Sequence, residues 1–234
     1  MLQIVKSETR GKTHIDWLES YHSFSFGNYY DPDNIQFGPI RVLNDDIIAP
    51  GAGFPAHPHN NMEIVTIALE GELAHEDSTG GKDVIRPGEV QRMTAGKGVY
   101  HSEYNNSKDK HAHILQIWFI PDKLGYEPGY EQKKYSTSEA ENTLLKLVSK
   151  KNGDGVVTIN QNADLFLSHL DKEKELQYNL LDERGVYIFL IEGKLSVNET
   201  VLNPRDALKI SDEKNITIQA EEKASFILFD VPLK

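Results

Sequence analysis

The sequence predicts an all-β chain built from many short strands in two similar halves. Three observations predict it. β-branched and aromatic runs of five to eight residues recur between turn-forming clusters. Helical periodicity is nearly absent. A strand–turn–strand–proline-turn–strand pattern occurs once in each half of the 234 residues.

Ile64-Val65-Thr66-Ile67-Ala68-Leu69 is a β-branched run that stops at Glu70-Gly71. Glu72-Leu73-Ala74-His75-Glu76 alternates and ends in the turn Asp77-Ser78-Thr79-Gly80-Gly81. Val84-Ile85 leads to Pro87-Gly88, and Val90 and Met93 resume a strand. Ile114–Ile120 is apolar except for Gln116, as expected of a strand buried on both faces. Residues 138–144 read as a short helix or a polar connection.

The pattern then repeats. Ile64–Gly71 matches Val186–Gly193, and Val84–Met93 matches Val201–Ile210. The polar stretch 121–155, with Pro121, Pro128 and Gly153-Asp154-Gly155, is the expected connection. The expected domains are residues 1–135 and 136–234.

A net charge of −11 and the absence of any Lys/Arg stripe argue against binding to a phosphate backbone, so direct nucleic-acid binding is not expected. Cysteine is absent, which excludes disulfides, thiolate metal sites and cysteine nucleophiles. No apolar run approaches the roughly 18 residues of a membrane span. The first residues lack a signal-peptide pattern, so the expected location is the cytoplasm, with no membrane partner.

His57-Pro58-His59 places two imidazoles on the same side of an extended strand. Glu63 follows, and His101-Ser102-Glu103 repeats the i, i+2 arrangement with an imidazole and a carboxylate. Such donors suit iron, zinc, nickel, copper or manganese. Chemistry alone leaves Glu63 and Glu103 both open as the carboxylate ligand. His111-Ala112-His113 is a rival pair without a carboxylate at similar spacing.

The blocks Trp17–Gly27, Tyr30-Asp31-Pro32, Arg41–Asp46, Pro50–Phe54 and Met93–Glu103, together with the His57/His59 run, resemble the pirin family, a branch of the cupins. The resemblance covers nearly all of residues 10–120. It implies a bicupin: two face-to-face cupin β-barrels, each a double-stranded β-helix. It also implies one divalent metal, Fe(II) foremost, held by His57, His59, His101 and Glu103, with Glu63 outside the ligand set. Opposite these positions the second half offers Asn179, Leu181, Gly185 and Asn215–Gln219, without an imidazole, so the second barrel is expected to be metal-free.

The activity implied is cleavage of flavonols such as quercetin by O₂, with release of carbon monoxide and with Glu103 as proton acceptor. The alternative implied is a metal-bearing regulatory or redox-sensing protein acting through protein partners, like nuclear pirins. Phe24, Phe26, Tyr29 and Tyr30 are expected either to wall an apolar pocket beside the metal or to pack in the ordinary core. Arg41, Asn44, Asp45 and Asp46 are expected to fix turns, with support of the metal ligands from behind as the alternative, and His22 and His75 to be structural.

Overall fold

The computed structural model describes residues 1–233. Its described elements are strands, apart from two single turns of 3₁₀-helix at Ser7–Thr9 and Thr137–Ala140. The second lies where the sequence left helix and connection open. With four residues it closes one turn and no more.

The chain forms two compact units. One contains Gly11–Tyr135 and Lys150–Gln161; the other contains Met1–Arg10, Ser136–Ser149 and the chain from Asn162 onward. Relative to a single cut after residue 135, the first ten residues and residues 150–161 are exchanged. Long-range pairing explains the first exchange: Leu2–Val5 hydrogen-bonds antiparallel to Ala207–Ile210. Side-chain bonds explain the second: Arg92 Nε donates to Thr158 O at 2.7 Å, and Asn160 Nδ2 donates to Glu63 Oε1 at 2.9 Å.

The unit containing Gly11–Tyr135 has two sheets. The larger runs, in spatial order, Gly129–Lys134, Glu89–Thr94, Glu63–Glu70, Ala112–Phe119, Ile40–Ile48, Leu18–His22 and Gly11–Ile15. The smaller runs Gly53–His59, Val99–Asn105, Leu73–Asp77 and Lys82–Ile85. Alternation sets the inward face: in Val99–Asn105 every second residue from Val99 to Asn105 is buried, and Tyr100 and Tyr104 face out. Leu18, Ile48, Leu73, Ile85 and Ile114 belong to one apolar cluster, with Trp17 and Phe54 packed against it.

Two expectations change here. Gly129–Lys134 is a strand on the edge of the larger sheet, inside the stretch expected to be a connection. Its sequence, Gly-Tyr-Glu-Gln-Lys-Lys, hides this because an edge strand with a solvated face carries little apolar signal. Asn44, Asp45 and Asp46 lie within the strand Ile40–Ile48, not in turns.

The other unit contributes eight strands of one sheet and repeats the plan. Arg184–Val197 pairs with Ala207–Ser211 and with Asn215–Pro232. Glu63–Glu70 likewise pairs with Glu89–Thr94 and Ala112–Phe119. The repeat extends to two glycines. Gly71 (φ +73°) lies against the backbone of His111 and Ala112, and Gly193 (φ +83°) against that of Lys223 and Ala224. Each combines a left-handed φ with an approach that leaves no room for a side chain.

A Cβ on Gly193 would meet Lys223 O at 2.0 Å. Gly193→Ala is therefore expected to lower stability by about 2 kcal/mol or more, from backbone strain and the clash together. Urea unfolding of the variant checks this; a loss below about 0.5 kcal/mol contradicts it.

Candidate metal centre

Antiparallel register assembles the site. His101 lies opposite His57 on one side and Asp77 on the other, and Glu103 lies opposite His75. Between His101 and Glu103 the partner strand carries an extra residue, so that Glu103 pairs with Phe54. This bulge changes the alternation of Gly53–His59, and Phe54 and His57 both reach the same cavity despite their odd spacing.

The ligand-capable atoms of His57, His59 and His101 all lie within 4.8 Å of one another. His57 Nδ1 donates to Pro55 O at 2.8 Å, which turns its Nε2 toward His101 Nε2, 3.0 Å away. His59 Nε2 is buried and has no hydrogen-bond partner. His101 belongs to a second group, with Glu103 and His75, of the same dimensions. Glu103 is held from behind: Gln116 Nε2 donates to its Oε2 at 2.9 Å, and Thr66 Oγ1 fixes Gln116 through Oε1 at 3.1 Å. Glu103 Oε1 is buried without a partner.

Burial sets the protonation of these groups. It lowers the His59 imidazole to about 4, with the charge of His57 adding to the effect. It lowers His101 to about 2, with His57, His59 and His75 adding. It raises the Glu103 carboxyl to about 7, against the Gln116 hydrogen bond and with the charge of Asp46 in support. His59 and His101 are thus neutral donors. Buried lone pairs without partners are costly. A divalent cation satisfies several at once, so this donor set fits one.

Glu63 is placed differently. Both its oxygens are occupied, Oε1 by Asn160 and Oε2 by Thr94 Oγ1 at 2.9 Å. It does not line the cavity, whereas its neighbour Ile64 does. His113 also lies elsewhere. Its Nε2 is 2.6 Å from Asp45 Oδ1, and Gln116 and Trp118 take the cavity face of its strand.

The cavity holds about 450 Å³, within the range of small-molecule sites. Of the four aromatic residues expected to wall it, Phe26 does. Phe24 is fully buried outside the lining, Tyr29 packs on Gly11, and Tyr30 is exposed. The other large walls are Trp17, Phe54 and Trp118, with Trp17 edge-on to Phe54 at 5.1 Å and Trp118 edge-on to His59 at 4.8 Å.

A polar strip of Ser20, His22, Asn44 and Asp46 also lines the cavity. His22 Nδ1 is 2.9 Å from Asn44 Oδ1, and Ser20 Oγ donates to Asp46. Sequence reasoning missed His75 and this strip. The signal available was spacing: His75-x-Asp77 and Asn44-x-Asp46 are i, i+2 pairs on strands, like His57-x-His59.

A carboxylate and imidazoles converging inside an antiparallel barrel, in a chain with two such units, define a two-domain cupin. Residues 4–119 match the family model for pirin, and residues 146–231 match that for the quercetinase C-terminal cupin domain. The chain belongs to the pirin family. It is 39% identical over 232 residues to a protein of Escherichia coli K12 named quercetin 2,3-dioxygenase, covering 99% of each. It is 38% identical to a pirin-like protein of Caulobacter vibrioides, covering 92% of each. Among solved structures it resembles YhhW from Escherichia coli, with a TM-score of 0.95, 39% identity and coverage of 99% of this chain and 98% of that one. It also resembles the bacterial pirin YhhW in complex with nickel(II), with a TM-score of 0.94 at 38% identity and 99% coverage of each chain.

Glu103→Gln is expected to weaken binding of Ni(II) by at least about tenfold, because a neutral amide replaces an anionic donor. Glu63→Gln is expected to leave it within about threefold, since that carboxyl is engaged by Asn160 and Thr94. Calorimetric titration of the two variants separates them; the reverse order would assign the metal to Glu63.

Proposed function

We propose that the protein is a metal-dependent dioxygenase of flavonols, with the metal, Fe(II) foremost, held by His57, His59, His101 and Glu103. The observation that carries this reading is the convergence of three imidazoles and a buried carboxyl group on one aromatic-walled cavity. The relatives named quercetin 2,3-dioxygenase support it.

When bound, the metal supplies Lewis acidity to the adjacent hydroxyl and carbonyl oxygens of the flavonol and a path for electrons to O₂. The remaining work falls to the chain. Trp17, Phe54 and Trp118 hold the planar rings and exclude water. Glu103 Oε1 takes the 3-hydroxyl proton, while Gln116 keeps the carboxyl aimed. Overall, the bonds from C3 to C2 and to C4 break, and C3 leaves as carbon monoxide. One oxygen atom of O₂ joins C2 and the other C4, giving an ester and a carboxyl group. The proton held on Glu103 goes to that carboxyl.

Metal-replete protein is expected to bleach the long-wavelength absorption of quercetin, consume O₂ and release carbon monoxide in equal amounts. Chelator is expected to stop this, and Fe(II) to restore it. If flavonols remain unchanged in air with folded, metal-replete protein, the dioxygenase reading fails and the regulatory one takes its place.

A further inference from the structure

His75 is fully buried, and its Nε2 lies 2.9 Å from Asp77 Oδ2. Asp77 cannot turn away. Its Oδ1 accepts from Thr79 N at 2.8 Å, Thr79 Oγ1 at 2.6 Å and Gly81 N at 3.1 Å. A carboxylate only accepts, so His75 carries its proton on Nε2 and leaves Nδ1 as a bare lone pair. That Nδ1 is buried and has no partner. The His101 ring is 5.3 Å away, centroid to centroid, and its Nδ1 is also buried without a partner.

The two vacancies are complementary once His101 Nε2 serves as a donor to a metal. A neutral imidazole then keeps its proton on Nδ1. Two neighbours carry buried lone pairs without a partner, His75 at Nδ1 and Glu103 at Oε1, and a ligand-capable atom of each lies within 4.8 Å of one on His101. Glu103 faces the cavity and His75 does not.

We infer that His75, locked by Asp77, is a positioning residue that accepts the Nδ1–H of His101 and thereby presents His101 Nε2 to the metal. This rests on the metal reading above but not on the reaction proposed for it. The centroid separation of 5.3 Å leaves room for an N–H···N bond once the His101 ring is turned edge-on to His75. The chain Asp77–His75–His101 is then a carboxylate-anchored relay of hydrogen bonds that ends at the ion.

The test uses the whole chain and Zn(II) or Ni(II) alone. His75→Leu is expected to lose about 10- to 100-fold in metal affinity, the usual scale for such a partner. His75→Gln, whose amide oxygen can accept the same proton, is expected to stay within about threefold of the parent. A residue that merely filled space would give the opposite ranking or none. Should both variants fail to fold, the parent loaded with diamagnetic Zn(II) still decides by ¹⁵N NMR of the imidazoles. His75 is expected to be protonated at Nε2, and His101 to carry a slowly exchanging proton at Nδ1.

A His75 protonated at Nδ1, or an unchanged affinity in His75→Leu, overturns the inference. So does uptake of a second Zn(II) that requires His75. A parent chain that binds neither ion overturns the metal reading and this one together. Tight metal binding with unaltered flavonol overturns only the reaction.

Discussion

One register governs this site: Val99–Asn105 lies between Gly53–His59 and Leu73–Asp77, with His101 opposite both His57 and Asp77. Because side chains alternate, a slip of one residue would send His101 and Glu103 outward and bring Tyr100, Ser102 and Tyr104 in. The register is costly to maintain. It buries unpartnered atoms on His59, His75, His101 and Glu103 in one small volume, each with a desolvation penalty of about 1–3 kcal/mol. The apolar cluster around Leu73, Ile85 and Ile114 opposes that cost. A cation would oppose it as well.

The second unit shows what the same plan becomes without that demand. Asn215–Gln219 pairs with Glu175–Asn179 and with Ser196 and Val197, as Val99–Asn105 pairs with its two neighbours. At its inward positions stand Ile216 and Ile218, fully buried among Leu195, Val197 and Leu202. Burying each isoleucine contributes about 1.5–3 kcal/mol, where the other unit spends a comparable amount on desolvation. One plan therefore yields a polar interior in one copy and an apolar interior in the other.

Much of this was legible in the sequence because strand alternation is a short-range rule. His57-x-His59 and His101-x-Glu103 needed only that rule to be placed together in pairs, and Gly71 and Gly193 marked equivalent positions, a turn in one unit and an irregularity within the strand Arg184–Val197 in the other. The cavity walls were not legible in the same way. Phe24, Phe26, Tyr29 and Tyr30 are neighbours in sequence, yet only Phe26 faces the cavity. Trp17, Phe54 and Trp118 come from three different strands or turns, and Phe54 reaches the cavity through a bulge that no local pattern announces. Asn44 and Asp46 looked like turn residues because their side chains favour turns. Burial in a polar strip overrode that preference.

The bond from Asn160 to Glu63 has a further meaning for how the chain is made. Glu63 is buried with both oxygens satisfied, one of them by a residue 97 positions later. When residues 1–135 have left the ribosome, that carboxyl still lacks its amide partner, and Arg92 lacks the carbonyl of Thr158. Leu2–Val5 waits for Ala207–Ile210 before its backbone is paired. Synthesis order and folding order therefore diverge. Leu2–Val5 is made before its partner strand and docks after it, and the unit that holds the histidines closes only after the chain has passed residue 161.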